Sequence, residues 1–309
     1  MDRLFLPEGI RVDYFENQKA IGSVASLREA MEEERILEAR AILCDAAHNL
    51  YVDLSAAGVR GVIPRDEGAV GIADGSTRDI ALISRVSKAV CFVVTDLQET
   101  EEGTVALLSR RRAQERCRRE YLETLVPGDI LPAKVTRLES FGAFCDVGCG
   151  VPALLPIAAL SVSRITHPAD RLAVGQEIPA VVSSVENGRI TLSQRELFGT
   201  WEENARLFSP GETVVGIVRS IESYGIFVEL TPNLAGLAEP REGVKVGQAA
   251  GVFIKSILPE KMKVKLVIID SHFTLPRRPG PRYFLTEGHI DRFVYSPECC
   301  PKRIVSEFV

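Results

Sequence analysis

The sequence lacks the long apolar runs that membrane-spanning helices need. No stretch of about eighteen apolar residues occurs in its 309 residues, and the opening MDRLFLPEG carries an early Asp with no apolar signal-peptide core behind it. These absences argue against a membrane protein and against a secreted one. We therefore predict a cytoplasmic protein with no membrane partner.

The sequence also lacks the residue patterns of metal and catalytic sites. Its seven cysteines are an odd number without a CxxC pair, its four histidines are dispersed, and neither GxxxxGK[ST] nor HExxH occurs. The sharpest metal candidate is His289 with Cys299 and Cys300, but two adjacent cysteines ligate one tetrahedral ion only with strain. We predict no enzyme, no catalytic residue, no metal and no cofactor.

Positive charge is in short supply. The net charge is −5 and the pI is about 5.6, so nucleic-acid binding through bulk electrostatics is disfavoured and would depend on local patches and stacking. The strongest basic patch is the Arg-rich stretch at 108–125, which predicts a linker helix with a basic surface. Two interpretations of it stay open: contact with phosphate, or a solvated helix balanced by Glu115, Glu120 and Glu123.

What the sequence does contain is a repeat. LESFGAFCDV at 138–147 returns as IESYGIFVEL at 221–230, with an aromatic pair around a glycine in both. Each copy follows a Pro-Gly turn, passes through Val-Gly-Gln and ends in two alternating segments. Period-two alternation bounded by turn residues predicts strands, and five short strands in each copy indicate a small Greek-key barrel.

A third, divergent copy begins at Ile36 and contains AAHNLYVDL, in which His48 and Tyr51 occupy the aromatic positions. We therefore predict an all-β protein of three tandem five-stranded Greek-key barrels with short linker helices and an irregular C-terminal extension. The predicted segments are an N-terminal segment with an acidic helix at 1–35, barrels at 36–111, 126–198 and 209–270, an Arg-rich linker helix at 112–125, a linker helix at 199–208 and the extension at 271–309.

The alternation also predicts which side chains face outward. Ala143, Cys145 and Val147 should point into the barrel, while Phe144 and Asp146 point away from it. Phe141 would point inward in a regular strand, but a bend at Gly142 would bring both rings to one face. The alternative is that Phe141 belongs to the core.

Through PGD, FGAF, VGQ and GRITLSQRE, residues 126–196 resemble the S1 domain, the RNA-binding OB-fold repeat of ribosomal protein S1 and polynucleotide phosphorylase. Residues 209–270 and 36–111 resemble further copies, and the whole chain is similar to the short S1-like proteins of Gram-positive anaerobes. The resemblance implies an RNA face of two aromatics, a His, and an Asp and Arg that flank the last turn. It assigns RNA binding to these residues: Phe141, Phe144, Glu186, Arg189, Tyr224, Phe227, Lys261, Lys263, His48 and Tyr51.

The His of that pattern is absent from all three copies. Pro156, Glu239 and Pro64 stand at its position in the second, third and first copies. Its loss lowers the affinity expected of each copy, and Glu239 would repel phosphate unless Lys261 and Lys263 offset it.

The resemblance implies a protein that binds single-stranded RNA, above all mRNA in translation, with the 30S ribosomal subunit as a further candidate partner. Two alternatives stay open. One is an accessory protein in RNA turnover or transcription, because the same barrel is an appendage of ribonucleases. The other is a protein-interaction scaffold that has lost RNA binding, for which the absent histidines and the acidic net charge speak.

Overall fold

A computed structural model describes residues 5–272 and 280–308, and strands dominate them. Fifteen strands form three closed barrels of five strands each. The first barrel consists of β1 Leu37–Cys44, β2 Leu50–Leu54, β3 Val59–Ile63, β4 Ala89–Thr100 and β5 Gly103–Ser109. The second consists of β6 Ile130–Glu139, β7 Gly142–Asp146, β8 Pro152–Pro156, β9 Glu177–Glu186 and β10 Arg189–Ser193. The third consists of β11 Thr213–Glu222, β12 Gly225–Thr231, β13 Leu234–Ala238, β14 Ala249–Leu258 and β15 Lys263–His272.

All three barrels share one strand order. The first strand is followed around the barrel by the second, third, fifth and fourth, and the fifth runs parallel to the third. This is the five-stranded Greek-key order of the OB-fold. The predicted fold class is confirmed.

The helices are short. They are α1 Phe15–Ala20, α2 Val24–Glu32, α3 Ile80–Ile83, α4 Arg110–Glu120 and α5 Trp201–Ala205. Ser23 caps α2, since its hydroxyl accepts a hydrogen bond from the Ser26 amide. Both predicted linker helices are shorter than expected, because α4 ends at Glu120 and α5 at Ala205.

Burial alternates along the strands as the sequence pattern predicts. In β15, Val264, Leu266 and Ile268 are buried while the residues between them are exposed. In β7, Ala143 and Cys145 are fully buried and Phe144 between them is half-buried. Asp146, expected to face outward, is also buried, because the N-terminal segment covers it and the Glu8 amide donates to its Oδ2 at 2.7 Å.

The described chain divides into two compact units. One contains the residues up to Leu125 with two short segments of the second barrel, 132–134 and 146–152. The other contains 126–131, 135–145 and the residues from Ala153 onward.

In the first unit, Glu8 is the buried partner of α4. Its carboxylate accepts from Arg110 at 2.6 and 3.0 Å and from Arg85 at 3.2 Å. Burial alone would raise the pKa of Glu8, but the charges of Arg110 and Arg85 outweigh it and hold the pKa below its usual value. A buried, hydrogen-bonded ion pair thereby holds the N-terminal segment to α4.

The basic surface predicted for the Arg-rich stretch is largely neutralised. Arg110 is buried against Glu8, Arg111 bonds to Glu67 and Glu115, and Arg116 bonds to Glu120. Of the two open interpretations, the structure favours the balanced helix. Both interpretations were wrong about Arg110, because they assumed that the arginines of this stretch are exposed and Arg110 is buried.

In the second unit, the C-terminal extension packs on two barrels. Ile290 joins a buried cluster with Ile130, Val181 and Leu197 of the second barrel, whereas Tyr295 lies in the core cluster of the third. The extension was expected to be irregular, but it contains a two-stranded sheet, β16 Arg292–Val294 and β17 Val305–Glu307. Of the predicted N-terminal segment and extension, residues 1–4, 273–279 and 309 lie outside the described residues.

Candidate nucleic-acid interface

The second barrel carries two phenylalanine rings side by side on its surface. The Phe141 and Phe144 centroids lie 6.0 Å apart with an interplanar angle of 89°, which is the edge-to-face arrangement. Phe141 is 54% exposed and Phe144 is half-buried. The structure thus places Phe141 outside the core and brings the two rings together.

Gly142 makes this arrangement possible. A Cβ at this position would lie 2.5 Å from the Leu155 carbonyl oxygen and 3.0 Å from the Pro156 Cα, so any other residue would push β7 away from β8. The Ile157 amide donates to the Phe141 carbonyl at 2.9 Å and holds the chain just before the glycine. Phe141 and Phe144 are three residues apart and would face opposite sides of a regular strand. The close approach of β7 and β8 at Gly142 allows both rings to lie on one face.

The third barrel repeats the geometry with one tyrosine. The Tyr224 and Phe227 centroids are 6.2 Å apart at 89°, and Tyr224 is 66% exposed. Gly225 has the same role as Gly142, because a Cβ there would lie 2.7 Å from the Ala238 carbonyl oxygen. Two barrels therefore present the same pair of rings at the same place.

The first barrel has a different tip. Asn49 stands at the glycine position, and its side chain accepts from the Arg65 amide at 3.0 Å and donates to Asp45 at 3.0 Å. The Tyr51 hydroxyl donates to the same Asp45 carboxylate at 3.3 Å, and His48 adopts a left-handed backbone with φ 63°. His48 and Tyr51 are both half-buried, so this tip offers less open ring surface than the other two.

The charged candidates lie at the last turn of the second and third barrels. Glu186 and Arg189 face each other across a two-residue turn, Asn187–Gly188, and both are exposed. In the third barrel, Lys261 closes a short 3-10 helix and Lys263 begins β15, and both are exposed.

The strand order places these cations two strands from the rings. Phe227 on β12 is paired with Leu237 on β13, which in turn is paired with Lys265 on β15. Lys263 lies two residues before Lys265 on that strand. Lys263 therefore lies on the same sheet surface as Phe227, two strands away.

Two prolines and one glutamate occupy the positions of the absent histidine. Pro156 and Pro64 are half-buried, and Glu239 is exposed. None of the three supplies a stacking or donating group.

A cavity of about 540 Å³ opens beside the rings of the third barrel. Its lining includes Tyr224, Phe227, Arg164 and Lys302. Sequence reasoning missed Arg164 and Lys302, because neither lies in a repeated motif. Only their position in the folded chain brings them to the rings.

The metal candidate weighed in the sequence has other contacts. His289 Nδ1 lies 2.8 Å from Asp129 Oδ1, and this carboxylate raises the pKa of His289 through a hydrogen bond. Within residues 5–272 and 280–308, no group of three or more His, Cys, Asp or Glu side chains is arranged to hold a metal ion. In the same residues, no helix has the length and apolar character of a membrane span.

Comparison with known proteins agrees with this geometry. The model of the family described as the S1 RNA binding domain matches residues 125–195, which include the Phe141–Phe144 pair. The small ribosomal subunit protein bS1 homolog of Bacillus subtilis is 32% identical over 231 residues, covering 72% of this chain and 56% of the relative. The bS1 proteins of Streptococcus pneumoniae and Staphylococcus haemolyticus are 33% and 30% identical, over 52% and 81% of this chain and 45% and 64% of their own lengths.

The chain thus spans about half to two thirds of the length of these relatives. The matched domain model, the relatives and the three barrels of one strand order agree with one another. The chain is an S1-like protein with tandem OB-fold barrels, the second of which matches the model of the S1 RNA binding domain.

Proposed function

We propose that this protein binds single-stranded RNA in the cytoplasm, above all mRNA during translation, and that it does so without catalysing a reaction. The small ribosomal subunit is its proposed partner. The rings of Phe141, Phe144, Tyr224 and Phe227 stack on bases, while Arg189, Lys261 and Lys263 contact phosphates.

The single observation that carries the proposal is the recurrence of the ring pair. Two barrels hold it at nearly the same centroid distance, 6.0 and 6.2 Å, with Phe141 and Tyr224 more than half exposed. Base-aromatic stacking contributes about 1–3 kcal/mol for each base and requires no net positive charge on the protein. This mode of binding suits a chain whose net charge is −5.

The comparisons support the same conclusion. The family that matches the second barrel is described by RNA binding, and the names of the relatives place them in the small ribosomal subunit. These names support mRNA and the small subunit as the ligands to test first.

The second and third barrels can act together on one strand. Arg171, which precedes β9 of the second barrel, donates to Glu229 of the third barrel at 2.9 and 2.7 Å, and both side chains are buried. Fixed neighbouring sites raise the effective concentration of the second binding event once the first has occurred. We expect binding to strengthen once the strand is long enough to reach both ring pairs.

The test is an anisotropy titration of a labelled single-stranded RNA, with a duplex RNA of the same length as comparison. We expect the single strand to bind more tightly and the Phe144→Ala, Phe227→Ala double variant to bind it more weakly while retaining the wild-type circular dichroism spectrum. Equal affinity of the folded variant and the wild type would contradict the stacking mechanism. A wild-type protein that binds no RNA would instead support an interaction scaffold.

A further inference from the structure

The cavity beside Tyr224 and Phe227 combines three parts of the second unit. The third barrel supplies the two rings, the segment after β8 supplies Ser163 and Arg164, and the C-terminal extension supplies Tyr295 and Lys302. The extension therefore forms part of the surroundings of the ring pair. It does not cover the rings, since Tyr224 is still 66% exposed.

The walls of this cavity are held by buried hydrogen bonds. The Tyr295 hydroxyl donates to the Asn233 carbonyl, and the Asn233 side chain accepts from the Val162 amide at 3.0 Å. The Trp201 amide donates to the Tyr295 carbonyl at 3.0 Å, and Trp201 is buried at the edge of the cavity. A site whose walls are fixed before binding loses little conformational freedom when a ligand enters.

The charge of the lining is positive. Arg219 is occupied by Glu229 at 2.8 Å and by Asp170 at 3.6 Å. Arg164 and Lys302 are exposed, and neither has an ion-pair partner among the residues that the structure describes. The lining also contains one exposed acid, Glu222. Its negative charge offsets one of the two cations, so a net charge of about +1 is left beside the rings.

The size and chemistry of the cavity fit one nucleotide. Its volume of about 540 Å³ falls within the range of small-molecule pockets, roughly 300–1,000 Å³. Aromatic walls suit the flat face of a base, and the unpaired cations suit a phosphate. A base enters such a cavity only when it is unstacked from its neighbours, which a single strand allows at low cost.

We propose that this cavity binds one unstacked nucleotide of single-stranded RNA, with its base against Tyr224 and Phe227 and its flanking phosphates on Arg164 and Lys302. The inference rests on the proposed function and extends it, because it gives the C-terminal extension a role in RNA binding.

The chain offers an internal reporter for the test. Trp201 is the single tryptophan of the protein and lies in the lining, so a base that enters the cavity changes the emission of this residue. The probes are single-stranded octamers of uridylate and of adenylate. The variants are Arg164→Ala with Lys302→Ala, and Ala235→Leu, which places a larger side chain in the lining.

The matched control is Lys19→Ala with Arg28→Ala. It removes the same charge from exposed positions of α1 and α2, which belong to the other unit. We expect the control to bind as the wild type does. In the Arg164, Lys302 variant, the slope of log affinity against log salt falls in magnitude by about 1.4, which corresponds to about 0.7 for each of two single-strand phosphates. In Ala235→Leu, the response of Trp201 at saturating RNA is lost.

The outcomes separate the two proposals. If the wild type binds the octamers but both variants keep its salt slope and its Trp201 response, the cavity proposal is overturned and the proposed function stands. If the wild type binds no octamer, the proposed function fails and the cavity proposal fails with it. A lower salt slope together with a lost Trp201 response, in variants whose circular dichroism is unchanged, supports the cavity.

Discussion

The second and third barrels each display an aromatic pair in the same geometry, but a buried acid near each pair lies in a different electrostatic environment. In each barrel an acid follows the second ring by two residues, Asp146 after Phe144 and Glu229 after Phe227, and both acids are buried. Asp146 accepts from three backbone amides, those of Glu8, Gly148 and Gly150. Glu229 accepts from the guanidinium groups of Arg171 and Arg219.

The two environments shift the pKa values of the two acids in opposite directions. Burial, followed by the nearby Glu8 carboxylate, raises the pKa of Asp146 to about 7. Burial would also raise the pKa of Glu229, but the hydrogen bonds and charge of Arg171 and then Arg219 lower it below its usual value. The two barrels thus share the surface used for the proposed stacking and differ in the hydrogen-bond partners of the buried acid on the same strand.

Removal of Glu229, the acid bound by two arginines, should lower the stability of the third barrel most strongly. Glu229→Ala leaves the buried Arg171 without its ionic partner and leaves Arg219 with the longer contact to Asp170 at 3.6 Å. Breaking a buried ion pair in this way costs about 3–5 kcal/mol. We expect the free energy of unfolding to fall by this amount in urea titrations followed by Trp201 fluorescence, since Trp201 lies in the core cluster of the third barrel. Glu239→Ala, which removes an exposed acid of the same barrel, should unfold as the wild type does.

Removal of each ring pair in turn shows how much each barrel contributes to RNA binding. Phe141→Ala with Phe144→Ala and Tyr224→Ala with Phe227→Ala should each weaken binding of single-stranded RNA by about 1–3 kcal/mol for each base that loses its ring, with the fold unchanged. Isothermal titration calorimetry measures both variants on one oligonucleotide. A loss confined to one pair would show that a single barrel carries the binding.

The third prediction concerns pH and separates the two units. Burial raises the pKa of Glu38 to about 7, as it does for Asp146, and both belong to the first unit. A raised folded-state pKa stabilises the fold below the unfolded value of about 4 and loses this contribution as the pH rises through 7, by at most about 1.4 kcal/mol per pH unit for each proton. The first unit should therefore become less stable between pH 5.5 and 8.

Glu229 predicts the opposite dependence for the third barrel. Its lowered pKa contributes stability above the unfolded value of about 4.3, which is lost only as the pH falls further, so this barrel should change little between pH 5.5 and 8. Hydrogen exchange, corrected for intrinsic rates, resolves the two units. Glu38→Gln should flatten the pH dependence of the first unit, and an unchanged slope in this variant would argue against the assigned proton.

Loss of one cation at the last turn of a barrel should change RNA binding only slightly. Arg189→Ala removes one exposed cation from the second barrel, and we expect the salt slope of RNA binding to fall in magnitude by about 0.7 if it contacts one phosphate. Lys261→Ala should have a similar effect in the third barrel. Filter binding at four or more salt concentrations measures both, and slopes equal to the wild-type slope would assign these side chains to solvent.

The repeated features of the chain could be predicted from its sequence, whereas contacts between residues outside the repeats could not. The barrels and ring pairs follow from local alternation and from glycines whose absent Cβ allows close strand approach, so each can be recognised within a few residues. The burial of Arg110 depends on Glu8, 102 residues away, and no local pattern reveals such a partner. Arg164 and Lys302 were missed for the same reason, because only the folded chain brings them to Tyr224.

Photo-crosslinking shows directly whether bases stack on these four rings. Single-stranded oligouridylate is irradiated on the full-length protein, and mass spectrometry locates the crosslinked residues. We expect crosslinks at Phe141, Phe144, Tyr224 and Phe227, lost one barrel at a time in the alanine variants. Crosslinks confined to the Arg-rich helix α4, with none at the four rings, would rule out the stacking mechanism.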